Sequence, residues 1–265
     1  MMSDAPSTMP ALAPAQPQAG PDYTRRAWVA LLACILLAGL LLPIDGFIMA
    51  HVAVFQKGGR LQLGGDLRRT LEFLQQFGDL ASSLLVATCI FLLDPAIRRR
   101  MLDWLAAAAA TSLAVWLLKM AIGRARPRLA PPAGDDVLWQ SLAFTGPFGT
   151  YPLTHTRPGG IPEVVQRHSW EFWNGVSDLW SMPSSHTSAA AVLAVALATM
   201  YPKLRPLAWS LLGLVALTRV LFGAHFPSDV VLGAGIGVLV ASLAMHHRLG
   251  QRLVTRVGWI KEFPS

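Results

Sequence analysis

The chain has little charge and almost no cysteine. Only 14% of its 265 residues are Asp, Glu, Lys or Arg, against 53% hydrophobic. That balance is too apolar for an ordinary soluble domain and points to an integral membrane protein. The two cysteines, Cys34 and Cys89, both fall inside apolar runs, so they argue neither for a disulfide framework nor for a metal site. No internal repeat is present. The N-terminus lacks the basic start and directly following apolar core of a secretory signal, and the first apolar segment is long enough to remain as a membrane helix. Residues 1–22, MMSDAPSTMPALAPAQPQAGPD, have no periodic apolar positions and read as a disordered tail.

What is present is a series of apolar windows near 27–50, 78–97, 102–122, 184–201, 206–223 and 228–246. Each approaches the roughly 20 residues that carry a helix across a bilayer. The expected fold is therefore all-α and polytopic, a bundle of six transmembrane helices over residues 23–247. The window at 184–201 is the weakest, because its apolar core is short. The net charge of +7 does not argue for nucleic acid, since the basic residues sit at helix ends rather than on one soluble face. They cluster as TRRAW before the first window, IRRR at 97–100, PKLRP at 202–206, and Arg248, Arg252, Arg256 and Lys261 in a basic C-terminal tail, 248–265. With six crossings all four clusters fall on one side, which the positive-inside rule makes cytoplasmic, so both termini are expected there.

The opposite side then holds 51–77, 123–183 and the short 224–227. The connection 123–183 is too long for a helix turn and is expected to form a structured extracytoplasmic cap. Its Trp139, Trp170, Trp173 and Trp180 read first as headgroup-level anchors and second as substrate contacts. Within 51–77, RLQLGGDLRRTLEFLQQF has the pattern of an amphipathic surface helix.

Ionisable residues in or beside membrane spans are costly, so each is a functional candidate. Lys119 ends the third window and Arg126 lies just beyond it; Ser184, Ser185 and His186 open the fourth. Arg219 ends the fifth, His225 lies in the turn, and Asp229 opens the sixth. All these ends emerge on the non-cytoplasmic face, although none of them was used to choose that face. Taken singly, each has a blander reading: a snorkelling cation, a serine helix cap, a structural His–Asp pair. Taken together, three cations and a helix N-terminus suit phosphate oxygens, and two histidines add a nucleophile or base and a proton donor. Asp229, four residues after His225, is placed to accept its ring N–H and set its tautomer. His51, His155, His168, His246 and His247 do not share the pattern and read as surface residues; Arg124 and Arg128 read as ordinary interfacial charge.

These residues resemble the signature of the type 2 phosphatidic acid phosphatases. Lys119 through Arg126-Pro127 matches Lys-x6-Arg-Pro. Pro183, Ser184 and His186 match Pro-Ser-Gly-His, with Ser185 where glycine is usual. Arg219, His225 and Asp229 match Ser-Arg-x5-His-x3-Asp, with Thr218 in place of serine. The resemblance covers roughly residues 78–246 and implies a six-helix membrane phosphatase that needs neither metal nor other cofactor. Carried over, His225 is the nucleophile that becomes phosphohistidine, Asp229 orients it, and His186 protonates the leaving group. Lys119, Arg126, Ser184, Ser185 and Arg219 hold the phosphate. Ser185 fits if its backbone is right-handed helical and impairs the site if positive φ is needed; a helix start favours the first.

The implied substrate is a membrane lipid phosphate or pyrophosphate: undecaprenyl pyrophosphate, phosphatidylglycerophosphate, phosphatidic acid or a lipid A phosphate. The implied setting is a bacterial inner membrane with the site facing the periplasm or exterior. A lipid phosphotransferase would use the same residues. A non-catalytic lipid-binding or transport protein would be marked by a broken histidine pair, and both histidines are present. Oligomeric state is not addressed by the sequence.

Overall fold

A computed structural model describes residues 23–54, 56–57, 60–61, 63–129, 145–156, 162–168 and 177–257. The first apolar window becomes α1 (Tyr23–Leu41) and α2 (Asp45–Val54), joined by one 3-10 turn at Leu42–Ile44 that contains Pro43. A minimal hairpin, β1 (Gln56–Lys57) and β2 (Arg60–Leu61), leads into α3 (Gly65–Leu74), the amphipathic helix expected in this connection. Then come α4 (Leu80–Leu93), α5 (Arg100–Ile122), α6 (Ser185–Met200), α7 (Arg205–Leu221), α8 (Pro227–His246) and α9 (Leu249–Arg256).

All six apolar windows are helical, but they are not all long enough to span. Tyr23–Ala53, Arg100–Ile122, Pro202–Leu221 and Pro227–His246 have the length and apolarity of membrane spans. A fifth results if Gly65–Gly78 and Leu80–Leu93, bent by 66° at their junction, count as one. The molecule is thus an integral membrane protein with four to five candidate spans by this measure, where six were expected. The shortfall lies at α4 and α6, with 14 and 16 residues.

α6 is short but enclosed. Its Ala190, Ala191, Ala194 and Ala196 are fully buried, and it packs against α5, α7 and α8. Small residues make that enclosure possible by letting backbones approach. On α8, a Cβ at Gly233 would meet the Ser184 carbonyl oxygen at 2.6 Å, and one at Gly237 would meet the Ser188 carbonyl oxygen at 2.4 Å. From the other side, a Cβ at Gly78 would meet the His186 carbonyl oxygen at 2.4 Å. The mouth of α6 is therefore clamped between α8 and the end of the α3 segment.

The connection 123–183 contains an antiparallel hairpin of β3 (Thr150–Thr156) and β4 (Pro162–His168), in register from Thr150↔His168 to Thr156↔Pro162. Trp139, Trp170, Trp173 and residues 1–22 lie outside the described residues. The start of the basic 248–265 segment is docked rather than free. Gln251 donates to Asp103 through its backbone N–H (3.1 Å) and its side-chain amide (2.6 Å), holding α9 on α5.

Candidate active site

The ends of α5, α6 and α7 and the start of α8 meet, and backbone contacts lock them together. The Ser184 N–H donates to the Asp229 carbonyl (3.0 Å), the His225 N–H to the Arg219 carbonyl (3.2 Å), and the Arg124 N–H to the Leu179 carbonyl (2.8 Å). Lys119 Nζ donates to the carbonyls of Trp180 (2.6 Å) and Ser181 (3.3 Å). Residues from positions 119 to 229 thereby share one small volume, as the helix-end pattern implied.

Beneath this volume lies a buried ionic cluster that the sequence reading missed. Arg124 is not interfacial; it is fully buried. Its guanidinium donates to Asp229 Oδ1 (2.6 Å), Ser228 Oγ (2.7 Å) and Asp45 Oδ2 (2.7 Å), and stacks 4.0 Å from the Phe226 ring centroid. Asp45 also accepts from the Ser228 N–H (3.1 Å) and hydroxyl. Arg128, by contrast, is exposed and paired with Asp178. The signal for Asp45 was available, a lone carboxylate inside an apolar run. Arg124 looked like its neighbours Arg126 and Arg128, and only packing separates them.

His225 is buried beside Asp229, but Nδ1 to Oδ2 is 3.6 Å, longer than a hydrogen bond. Ser181 lies beside both groups. Its Oγ donates to Asp229 Oδ2 (2.5 Å) and lies 3.4 Å from His225 Nδ1. A hydroxyl already donating to the carboxylate can only accept from the ring, which places the ring proton on Nδ1 and leaves the Nε2 lone pair free. Asp229 Oδ2 also accepts from the Phe226 N–H (2.9 Å). Nothing in the sequence marked Ser181 for this position.

Lys119 and Arg126 act electrostatically on both His225 and His186, and Arg219 acts on His186. Arg126 reaches the carbonyls of Ser177 (3.2 Å) and Ala224 (3.4 Å). Arg219 donates through one terminal nitrogen to Gln75 Oε1 (3.1 Å), while its buried Nε has no hydrogen-bond partner. Of the charges acting on His186, Arg219 is the strongest, with Asp79, Arg126 and Lys119 behind it. Ser184 is the N-cap of α6 and accepts from the Thr187 N–H (3.4 Å) and hydroxyl (3.0 Å). Ser185 is the first residue of α6, and the positive-φ non-glycine residues among those described are Phe148 and Arg248. The serine thus stands in ordinary helical backbone, where glycine's freedom is not needed. Its side chain is exposed at the mouth. Among the described residues, no three His, Cys, Asp or Glu side chains are grouped as a metal set.

Fold and site together define a helical membrane protein with three cations, two histidines and a carboxylate brought together at the ends of its helices. The PAP2 superfamily profile matches residues 100–252, and the chain belongs to that superfamily. A lipid A 1-phosphatase of Rhizobium johnstonii is 34% identical over 65 residues, which span 24% of this chain and 27% of that protein. The crystal structure of a transmembrane PAP2-type phosphatidylglycerolphosphate phosphatase from Bacillus subtilis superposes with a TM-score of 0.53 at 18% identity. That match covers 91% of this chain and 99% of that one, and it shows a shared fold.

Proposed function

We propose that this protein is a membrane lipid phosphatase that hydrolyses a lipid phosphomonoester or pyrophosphate through a phosphohistidine. The observation that carries the reading is the gathering of three cations, Lys119, Arg126 and Arg219, close enough to act on one another and on His186 at the start of α6. Like charges held together in this way are suited to an anion. His225 Nε2 attacks phosphorus as the bond to the lipid or pyrophosphate oxygen breaks, and His186 gives that oxygen a proton. Water then attacks the phosphohistidine and gives its proton to His186; the P–N bond breaks and inorganic phosphate leaves. Lys119, Arg126, Ser184, Ser185 and Arg219 hold the phosphate oxygens as charge develops. In this reading six helices cross a bacterial inner membrane, both termini are cytoplasmic, and the site faces the periplasm or exterior.

The test is phosphate counting with purified full-length protein on phosphatidic acid, phosphatidylglycerophosphate, undecaprenyl pyrophosphate and a lipid A phosphate. One phosphate released per monoester consumed is expected. Near-zero release with a second phosphorylated lipid appearing would make it a phosphotransferase; binding without turnover would make it a lipid-binding protein. EDTA is expected to leave the rate unchanged, and loss of activity restored by magnesium would overturn the metal-free mechanism.

The reading also sets the pH profile. Burial pushes the His225 imidazole far below its ordinary value, to about 3, with Asp229 opposing and Lys119 and Arg126 assisting. The neutral, nucleophilic form therefore persists as pH falls across the range of about 5 to 8 in which an ordinary histidine would charge. Since kcat/KM reports the free enzyme, its acid limb is expected well below about 6.5. An acid limb centred on that value would show His225 titrating normally.

A further inference from the structure

A cavity of about 300 Å³ lies at the far end of the bundle, where α5 and α7 begin and α6 and α8 finish. Tyr23 at the start of α1, Arg100, Thr199, Arg205, Ser242 and His246 are in its wall. The same helices carry Lys119, Ser185, Arg219 and Asp229 at their other ends. Along α6, Ser185 and Thr199 are about 21 Å apart, so a group held here is out of reach of His186 and His225. Both arginines belong to basic clusters, IRRR and PKLRP, that have so far served only to orient the chain.

The cavity is rich in donors, and no carboxylate of the described residues lines it. Arg205 opens α7, a position where the helix dipole disfavours a cation. Its Nε donates to the Ala198 carbonyl (3.1 Å), while its terminal nitrogens have no partner among the described residues. Other surface arginines are neutralised: Arg68, Arg69 and Arg128 face Glu72, Asp66 and Asp178. Arg100 donates through one terminal nitrogen to the Met245 carbonyl (2.9 Å), with Asp103 3.6 Å away. Asp103 is itself occupied by Gln251, and the second terminal nitrogen of Arg100 is open. The Ser242 hydroxyl likewise has no partner among the described residues. Tyr23 and His246 pack ring against ring, 5.5 Å between centroids, on the α1 side.

We propose that this cavity is a second anion site, separate from the candidate active site, that binds a phosphate group between Arg100, Arg205 and Ser242. Two guanidinium groups offer the charge-assisted contacts that phosphate oxygens take, and the serine adds a neutral donor. A basic pocket between membrane helices suits the phosphate of a lipid headgroup, and the same donors suit a free phosphate. In the orientation proposed above, this end is cytoplasmic and the headgroup belongs to the inner leaflet. Bound there, the ligand ties the starts of α5 and α7 to the end of α8 and stabilises the folded bundle. None of this depends on the reaction at the other end.

The experiment counts bound ligand by native mass spectrometry on delipidated full-length protein in a neutral detergent. The probes are dioctanoyl phosphatidylglycerol, inorganic phosphate, and dioctanoylglycerol as the phosphate-free control. Arg219→Gln removes a cation at the other end, Arg205→Glu reverses the charge at this one, and Ser242→Leu fills the cavity while keeping both arginines. Binding of a phosphate probe is expected to survive Arg219→Gln and to weaken by roughly tenfold to a hundredfold in Arg205→Glu, the range of one hydrogen bond to a charged group. Ser242→Leu is expected to weaken it in the same way. Binding of phosphatidylglycerol alone would make a lipid headgroup the source; binding of inorganic phosphate, alone or as well, would make the free anion sufficient. Equal binding of dioctanoylglycerol, or no binding of either phosphate probe, would overturn the inference. So would binding lost in Arg219→Gln but kept in Arg205→Glu, which would place the ligand at the other end. Unchanged binding in Ser242→Leu would also overturn it, leaving only loose attraction to surface charge.

Discussion

His225→Ala is expected to lower phosphate release by about 10⁴-fold or more, the scale seen when a catalytic histidine acting as part of a unit is removed. The argument is geometric. Nδ1 of His225 faces Ser181 and Asp229, so Nε2 is the nitrogen left to act, and no other described side chain occupies that position. Rapid quenching of wild-type protein with labelled substrate should trap an acid-labile phosphoenzyme that His225→Ala does not form. His186→Ala should behave differently. It should form the phosphoenzyme from an aryl phosphate, whose leaving group needs no proton, yet turn over lipid phosphates slowly. Full activity of a monodisperse His225→Ala protein would end the phosphohistidine mechanism.

Arg124→Leu is expected to cost folding rather than chemistry alone. Removing one partner of a buried ion pair leaves an uncompensated charge and costs about 3–5 kcal/mol, a large fraction of a typical domain's stability. Here the guanidinium serves two carboxylates, Asp45 and Asp229, and its loss strands both. The expected readout is a sharply lower Tm and reduced recovery from detergent extracts. Arg124→Lys should recover little, because a single ammonium cannot reproduce the fork that reaches Asp45, Ser228 and Asp229 at once. Arg124→Leu combined with Asp45→Asn should be more stable than Arg124→Leu alone, since one stranded charge is removed. An unchanged Tm in Arg124→Leu would show that the cluster is not holding the helix ends together.

The coupling between this cluster and the chemistry runs through one carboxylate. Asp229 takes Arg124 on Oδ1 and Ser181 with the Phe226 N–H on Oδ2, so its plane is set before it meets His225. The sequence reading assigned Asp229 the task of orienting His225 directly. In the structure the two stand 3.6 Å apart with Ser181 beside both, a residue that no spacing rule could have found, because it lies outside the three motif segments and arrives through the loop that Lys119 and Arg124 pin. The Ser185 question was resolved by backbone conformation alone: a residue that opens a right-handed helix has no use for glycine's freedom.

By itself the sequence determined that the protein belongs in a membrane and where its helices lie, and it singled out Lys119, Arg126, Ser184, His186, Arg219, His225 and Asp229 at or beside helix ends. It could do so because apolarity is a local property of a chain. Tertiary structure alone decided that Asp45 and Arg124, 79 residues apart, form a buried pair and that Ser181 lies beside both His225 and Asp229. Those facts depend on which helix lies beside which and at what rotation. A one-dimensional pattern of apolar windows leaves both open, and the close fit of α6 between the glycines of α8 and Gly78 settles them here.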